Sequence, residues 1–208
     1  MAQDRKGEDT YGTCAGAPIK DAMHPYSDDL IKGCEKFAQM AFEATEQEDI
    51  RLYNSSCIFF SVSCIEAKLN EWLSILKKIE TSKSKFLTEM EKLQKTLKLE
   101  RKWNLIASTH NGVMWSSGED PFQSFETLVS LRNELVHYKG TFLGKDETPN
   151  NRIKGLMETF NIKSNSTFIE NDCSSWIYDL LNSNKLGGWV YEKTKPFYND
   201  LPTLLTKS

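Results

Sequence analysis

Three polar residues close together in the chain could carry chemistry: Arg132, Asn133 and His137. A histidine titrates near neutrality and can take a proton from a ribose 2′-hydroxyl. An arginine can bind a phosphate through two N–H groups and offset the charge that develops on it. An asparagine can orient the histidine or hold a phosphate oxygen. Together these residue types predict metal-independent RNA cleavage that leaves a 2′,3′-cyclic phosphate.

The spacing of these residues leaves two interpretations open. Asn133 and His137 are four residues apart, so on a helix they share one face and can hydrogen-bond. Arg132 and His137 are five apart, which is roughly 140° around a helix, so periodicity alone does not bring them together. The alternative is structural, because basic residues near a helix C-terminus are favoured by the helix dipole. Arg132 could then pair with a buried glutamate such as Glu66 to hold the fold together.

The elements that position these residues are predicted to be helical. Apolar residues recur with a 3.6-residue period over residues 48–79, which predicts the longest helix. A helix before it is expected to begin at Tyr26 with Ser27 as its cap. Residues 1–25 are rich in glycine and proline and lack periodicity, so they are predicted to form a flexible arm before a single domain at 26–208.

The motif itself falls on a helix that is expected to start at Pro121, with Asp120 as its cap, and to stop near Gly140. A basic amphipathic helix is predicted before it at 83–97, and residues 103–109 are expected to continue helically up to a turn at 110–112. Further helices are predicted at 151–160, at 172–182 and at 186–206 with an interruption at Pro202, and residues 161–171 could be extended. The fold class is therefore all-α, a helical bundle.

Composition excludes several classes of protein. No apolar stretch approaches the roughly 20 residues that cross a bilayer, and the N-terminus lacks an apolar signal region, which predicts a cytoplasmic protein without membrane contact. The five cysteines show no Cys-x-x-Cys spacing, and Cys57 and Cys64 are expected to be small buried residues. The three histidines are scattered, so neither a metal site nor a cofactor is expected.

A local excess of basic residues could bind RNA. Residues 77–102 hold nine basic and four acidic residues, although the whole chain has a formal net charge of −3. On a helix, Lys95, Lys98 and Lys102 would share one face that can meet a phosphate backbone. The alternative is an ordinary solvated helix surface.

The motif resembles a known family. Arg132-Asn133-x-x-x-His137 is similar to the Arg-x(4–6)-His motif of HEPN domains, in which a polar residue, often Asn, follows the arginine. The stretch Glu66-Ala67-x-x-Asn70 looks like the Glu-Ala-x-x-Asn pattern of another HEPN helix. Residues 185–201 are similar to the closing helix of several such proteins.

The resemblance implies an antiparallel HEPN-like bundle with extra C-terminal helices, and a homodimer in which two Arg-His motifs face one cleft. It implies RNase activity in toxin–antitoxin, phage-defence or stress systems, with RNA as substrate and a protein antitoxin as a possible partner. By position, His137 would be the general base or acid, Arg132 the phosphate binder and Asn133 the orienting residue, with Glu66 as a partner of Arg132.

Two further points bear on the resemblance. Tyr138 follows His137 directly, whereas toxins silenced by tyrosine modification carry His-x-Tyr, so that regulation is not expected.

Many domains of this type are also non-catalytic. The alternative function is therefore a HEPN-like module that binds RNA, a nucleotide or a protein partner through the same cleft.

Overall fold

The long helix α2 (Gln47–Ile79) is the central element of the fold in the computed structural model, which describes residues 23–79, 96–137, 149–162, 168–169, 172–173 and 175–199. Its apolar stripe lies inside the protein, with Cys57, Ile58, Ile65 and Leu69 fully buried. A stripe of this kind needs neighbours to cover it, because burial of apolar surface is the main stabilising contribution to a helix of this length.

The other elements surround α2. They are α1 (Tyr26–Glu43), α3 (Leu99–Asn111), α4 (Phe122–Val136), α5 (Asn151–Thr159), β1 (Phe168–Ile169), β2 (Asp172–Cys173), α6 (Trp176–Leu181) and α7 (Leu186–Asn199). Helix α2 packs mainly against α1 and α7, and less extensively against α4 and α6. The two strands pair antiparallel with Phe168 opposite Cys173. The described part of the chain is therefore all-α apart from this pair of two-residue strands.

Helices α1, α2 and α7 approach each other closely. The Ser61 and Thr194 hydroxyl oxygens are 2.6 Å apart in the buried contact between α2 and α7. The thiols of Cys34 and Cys57 are 3.5 Å apart between α1 and α2, and both are fully buried. Burial also raises the pKa of the Cys64 thiol to about 12, with Cys34 adding to the effect. Cys57 and Cys64 are thus buried residues, as the sequence predicts.

A cluster of aromatic rings joins α3, α4 and α7. The ring centroid of Trp103 lies 5.2 Å from that of Phe197 and 6.3 Å from that of Phe125. Trp115, in the loop after α3, stacks on Trp103 with centroids 5.9 Å apart. These edge and offset arrangements are the favourable ones for aromatic pairs. They hold the first half of α4 against α3 and α7.

Several predicted elements are confirmed. The helices predicted at 48–79, 103–109 and 151–160 correspond to α2, α3 and α5. The helix predicted at 172–182 is shorter, because β2 occupies residues 172–173 and Ser175 caps α6 through its side chain. The role predicted for Ser27 is wrong. Pro25 precedes the helix, and Ser27 is buried and donates hydrogen bonds from its N–H and its hydroxyl to the Glu71 carboxylate.

Some predictions lie outside the described residues. They concern most of the arm at 1–25, most of the basic helix at 83–97, and the interruption at Pro202. The end of the motif helix is described and comes earlier than predicted, because α4 ends at Val136 with His137 as its C-cap residue and not near Gly140.

Candidate functional site

The candidate site lies at the C-terminal end of α4. This helix begins at Phe122 with Pro121 as its N-cap residue, so the prediction of Asp120 as the cap and of Pro121 as the first helical residue is wrong by one position. The Asp120 carboxylate still accepts a hydrogen bond from the Ser124 N–H, in the first turn, at 3.2 Å. Its buried side includes Phe125, Leu128 and Leu131. At the other end, α4 stops at Val136, and the N–H of its C-cap residue, His137, donates to the Asn133 carbonyl at 2.9 Å.

The three predicted catalytic side chains lie at the surface of this helix end. Asn133 and His137 are exposed, and Arg132 is half-buried. Among the described residues, the side chains of Asn133 and His137 form no hydrogen bond with each other, although the backbone places them on one face. The imidazole is therefore open to a ligand but is not yet oriented by the asparagine.

Arg132 is also available. Within the described ranges its guanidinium has no ion pair or hydrogen bond, so its N–H groups are not committed to a carboxylate there. The expected pairing with Glu66 is not observed. The Glu66 carboxylate lies instead 3.7 Å from the Lys102 ammonium, which comes from α3. A structural role for Arg132 through Glu66 is thereby removed.

The predicted basic face does not form as an open surface at Lys102. This side chain is only 8% exposed, and its ammonium faces Glu66. Lys102 lies on the buried face of α3, together with Leu99, Trp103 and Ile106. Lys98 immediately precedes α3 and is exposed. Lys95 lies outside the described residues, as does Tyr138.

Two further observations concern histidine and the potential metal ligands of the described residues. His24 is exposed, with its imidazole 3.2 Å from the Asp29 carboxylate. In the described part of the chain, no group of three histidine, cysteine, aspartate or glutamate residues is arranged to hold a metal ion. The same part contains no helix that is both long and apolar enough to cross a bilayer.

A feature that the sequence did not suggest is a cleft of about 250 Å³ between α4, α5 and α7. Its walls include Asp120, Thr127, Arg152, Trp189 and Lys193. These residues come from three separate segments, and each segment taken alone looks like an ordinary polar helix face. A second groove, of about 440 Å³, runs between α1 and α7.

Asp120 contributes a carboxylate to the lining of this cleft. Burial disfavours its charged form, but hydrogen bonds from Lys193 and Ser124 outweigh that effect and lower the pKa of the Asp120 carboxyl. The carboxylate therefore stays ionised while bound to Lys193.

Comparison with models of protein families, with curated proteins and with solved structures gives no match to this chain. The short Arg132–His137 motif and its position at the end of a helix are therefore the basis for a functional proposal.

Proposed function

We propose that this protein is a metal-independent endoribonuclease of HEPN type. The observation that carries the proposal is the state of the motif: His137 is exposed at the end of α4, and Arg132 has no carboxylate partner among the described residues. Buried or salt-bridged side chains would have favoured a structural role. Cleavage of a phosphodiester requires an arginine that can bind the phosphate and a histidine that can reach the 2′-hydroxyl, and both residues lie on the last turn of α4 and its C-cap.

The proposed reaction is transphosphorylation of RNA. His137 takes the proton of a 2′-hydroxyl, and the 2′-oxygen attacks phosphorus. The bond from phosphorus to the 5′-oxygen then breaks, and the leaving oxygen receives a proton from a general acid. Arg132 donates hydrogen bonds to the phosphate oxygens, whose negative charge rises during the attack. The products are a 2′,3′-cyclic phosphate and a 5′-hydroxyl.

A second copy of the chain completes the proposed site. The reaction needs a base and an acid at once, whereas the motif supplies one histidine per chain. In a homodimer with the two motifs facing one cleft, the second histidine can serve as the acid, and Asn133 can orient either imidazole. The HEPN resemblance supports this arrangement and favours a role in toxin–antitoxin, phage-defence or stress systems.

The test is cleavage of a mixed tRNA and mRNA pool in the presence of EDTA. Wild type should leave cyclic-phosphate ends, and His137→Ala should abolish cutting. His24→Ala is the matched control, because it removes another exposed histidine far from the motif in sequence. Arg132→Gln should reduce cleavage by about two to three orders of magnitude, whereas Arg101→Gln, at an exposed position on α3, should leave it unchanged.

The outcomes separate the enzyme from its alternative. Equal cleavage by wild type and His137→Ala would show that the activity comes from a contaminant or another site. If folded wild type cuts none of the RNAs but binds them in an Arg132-dependent manner, the protein is a non-catalytic RNA-binding module.

A further inference from the structure

The cleft between α4, α5 and α7 lies away from the Arg132–His137 motif. Its α4 wall is formed by Gln123, Ser124 and Thr127, in the first half of that helix, whereas Arg132 and His137 lie at the other end. A ligand in this cleft would therefore not occupy the proposed site of RNA cleavage.

Two cations from different helices line the cleft. Arg152 of α5 donates from Nη2 to the Glu126 carboxylate, and Lys193 of α7 donates from Nζ to Asp120 Oδ2. Each cation is 33–40% exposed, so neither is sealed inside the protein. An arginine has five N–H donors and a lysine three, so these bonds leave most of their donors unused in the described structure.

Each cation of the cleft is paired with one carboxylate, so their charges balance. Asp120 Oδ1 accepts hydrogen bonds from both the N–H and the hydroxyl of Ser124, and Oδ2 accepts from Lys193. Glu126, which pairs with Arg152, is 18% exposed and is not among the residues that line the cleft. The lining itself therefore carries two cations and one carboxylate, and the unused N–H groups of the cations are the donors that can bind a carboxylate or phosphate group.

The remaining walls suit the rest of a small molecule. The half-buried indole of Trp189 supplies an apolar surface, and Thr127 and Gln123 supply polar groups. A volume of about 250 Å³ lies just below the usual range of about 300–1,000 Å³ for drug-sized ligands, so the cleft fits a small metabolite.

We propose that this cleft binds a small organic anion, whose phosphate or carboxylate group is held between Arg152 and Lys193 and whose carbon skeleton lies against Trp189. The site does not depend on the RNase activity. A protein that fails to cut RNA can still bind the anion, and a protein that cuts RNA can lack the anion site.

A glycine allows the cleft to be filled without removing a charge. A Cβ at Gly155, in the cleft wall on α5, would meet no heavy atom within 4 Å, so Gly155→Leu places its side chain in open space. Gly188 on α7 is equally unobstructed but lines the other groove, so Gly188→Leu is the matched control. Both changes replace a helical glycine by a better helix former, which protects folding.

The experiment is isothermal titration of the full chain with inorganic phosphate, glycerol 3-phosphate, malate and citrate, with chloride at equal ionic strength as the blank. We expect glycerol 3-phosphate or one of the two carboxylates to bind wild type and Gly188→Leu alike. Gly155→Leu and Arg152→Gln should each weaken that binding about tenfold or more. Binding of the phosphate ester alone identifies a phosphate site, and binding of malate or citrate alone identifies a carboxylate site.

Two results would overturn the proposal. One is the absence of binding by any of these anions above the chloride blank. The other is equal binding by wild type, Gly155→Leu and Arg152→Gln, which would place the anion elsewhere. Circular dichroism of each variant verifies that it is folded. If Gly155→Leu does not fold, the comparison of wild type with Arg152→Gln tests the proposal.

Discussion

At the scale of single residues, the Asp120 carboxylate connects the start of α4 to α7. It accepts hydrogen bonds from the Ser124 N–H and hydroxyl and from Lys193, and these lower its pKa against the opposing effect of burial. Because the pKa in the folded protein lies below the ordinary value of about 3.9, the carboxylate stabilises the fold above that pH. This contribution is lost as the pH falls through the lowered pKa.

Asp120→Asn should therefore lower the free energy of unfolding by about 1 kcal/mol at neutral pH, the size of a side-chain hydrogen bond to a first-turn N–H together with an exposed ion pair. The difference from wild type should shrink as the pH falls below about 4. Urea unfolding followed by circular dichroism at several pH values measures both effects. Glu119→Gln, an equal charge change at the adjacent exposed position, should have little effect. If the difference in unfolding free energy between wild type and Asp120→Asn is the same at every pH, the charge of Asp120 does not contribute to stability.

Asn54 shows how one buried amide can hold two elements. Its side-chain NH₂ group donates to the carbonyls of Leu181 and Ser183, at 2.7 and 2.9 Å, which ties α2 to the turn between α6 and α7. Asn54→Ala should destabilise the protein by about 1–3 kcal/mol, because it removes the side-chain donor from the buried Leu181 carbonyl, whereas the Ser183 carbonyl still accepts from the Leu186 N–H. Ser55→Ala, which removes only a local bond to the Arg51 carbonyl, should cost less than about 1 kcal/mol. Thermal unfolding compares the two variants, and equal losses would contradict this role for Asn54.

At the scale of helices, α7 lies against α1 through a glycine. A Cβ at Gly187 would come within 3.0 Å of the Ala38 Cα and of the Asn54 side-chain oxygen, whereas a Cβ at Gly188 would meet nothing within 4 Å. Because Ala38 Cα belongs to the backbone of α1, the contact cannot relax by a side-chain rotation.

Gly187→Ala should therefore destabilise the protein by about 1–3 kcal/mol, the usual cost of overpacking. Gly188→Ala should stabilise it by up to about 1 kcal/mol, because alanine is the better helix former. Chemical denaturation of the two single variants, one residue apart in one helix, gives the comparison. Similar stabilities would show that α1 and α7 can separate at no cost.

The sequence predicts the helices better than it predicts what they contact. Periodicity places α2 within one residue of its observed start, because neither a strand nor a loop keeps a 3.6-residue apolar period over such a long segment. It fails at Ser27 and Lys102, since the partners of both residues, Glu71 and Glu66, lie on α2, far away in the chain. From the sequence alone, a serine at a helix start is interpreted as a cap, and a lysine among other lysines as part of a solvated helix face. Only the position of the opposing helix shows that each residue has a carboxylate partner.

At the scale of the whole molecule, the sequence reveals a site only when the residues of that site are close together in the chain. The Arg132–His137 motif can be found in the sequence because its residues lie within one short segment at the end of α4. The cleft at Arg152 and Lys193 cannot, because it exists only where α4, α5 and α7 meet. Periodicity indicates which side of each helix faces inward, but it does not indicate which helices become neighbours.

The proposed RNase requires a second copy of the chain near the motif. Val136, the last residue of α4, is 51% exposed immediately before His137. An apolar side chain in this position fits a contact between two copies that brings both motifs to one cleft, because the centre of an interface is depleted of charged residues. Val136→Glu should therefore shift the protein from dimer to monomer and abolish RNA cleavage together.

Leu52→Glu is the control for this change. Leu52 is 58% exposed on α2, so it places the same carboxylate at a similarly exposed apolar position, and it should alter neither mass nor activity. Light scattering coupled to size-exclusion chromatography gives the mass of each variant, and the EDTA cleavage assay gives its activity. If Val136→Glu remains a fully active dimer, the two copies do not meet at this end of α4. If it becomes a monomer that still cleaves RNA, one chain carries both the base and the acid, and a second proton donor must be sought beside His137.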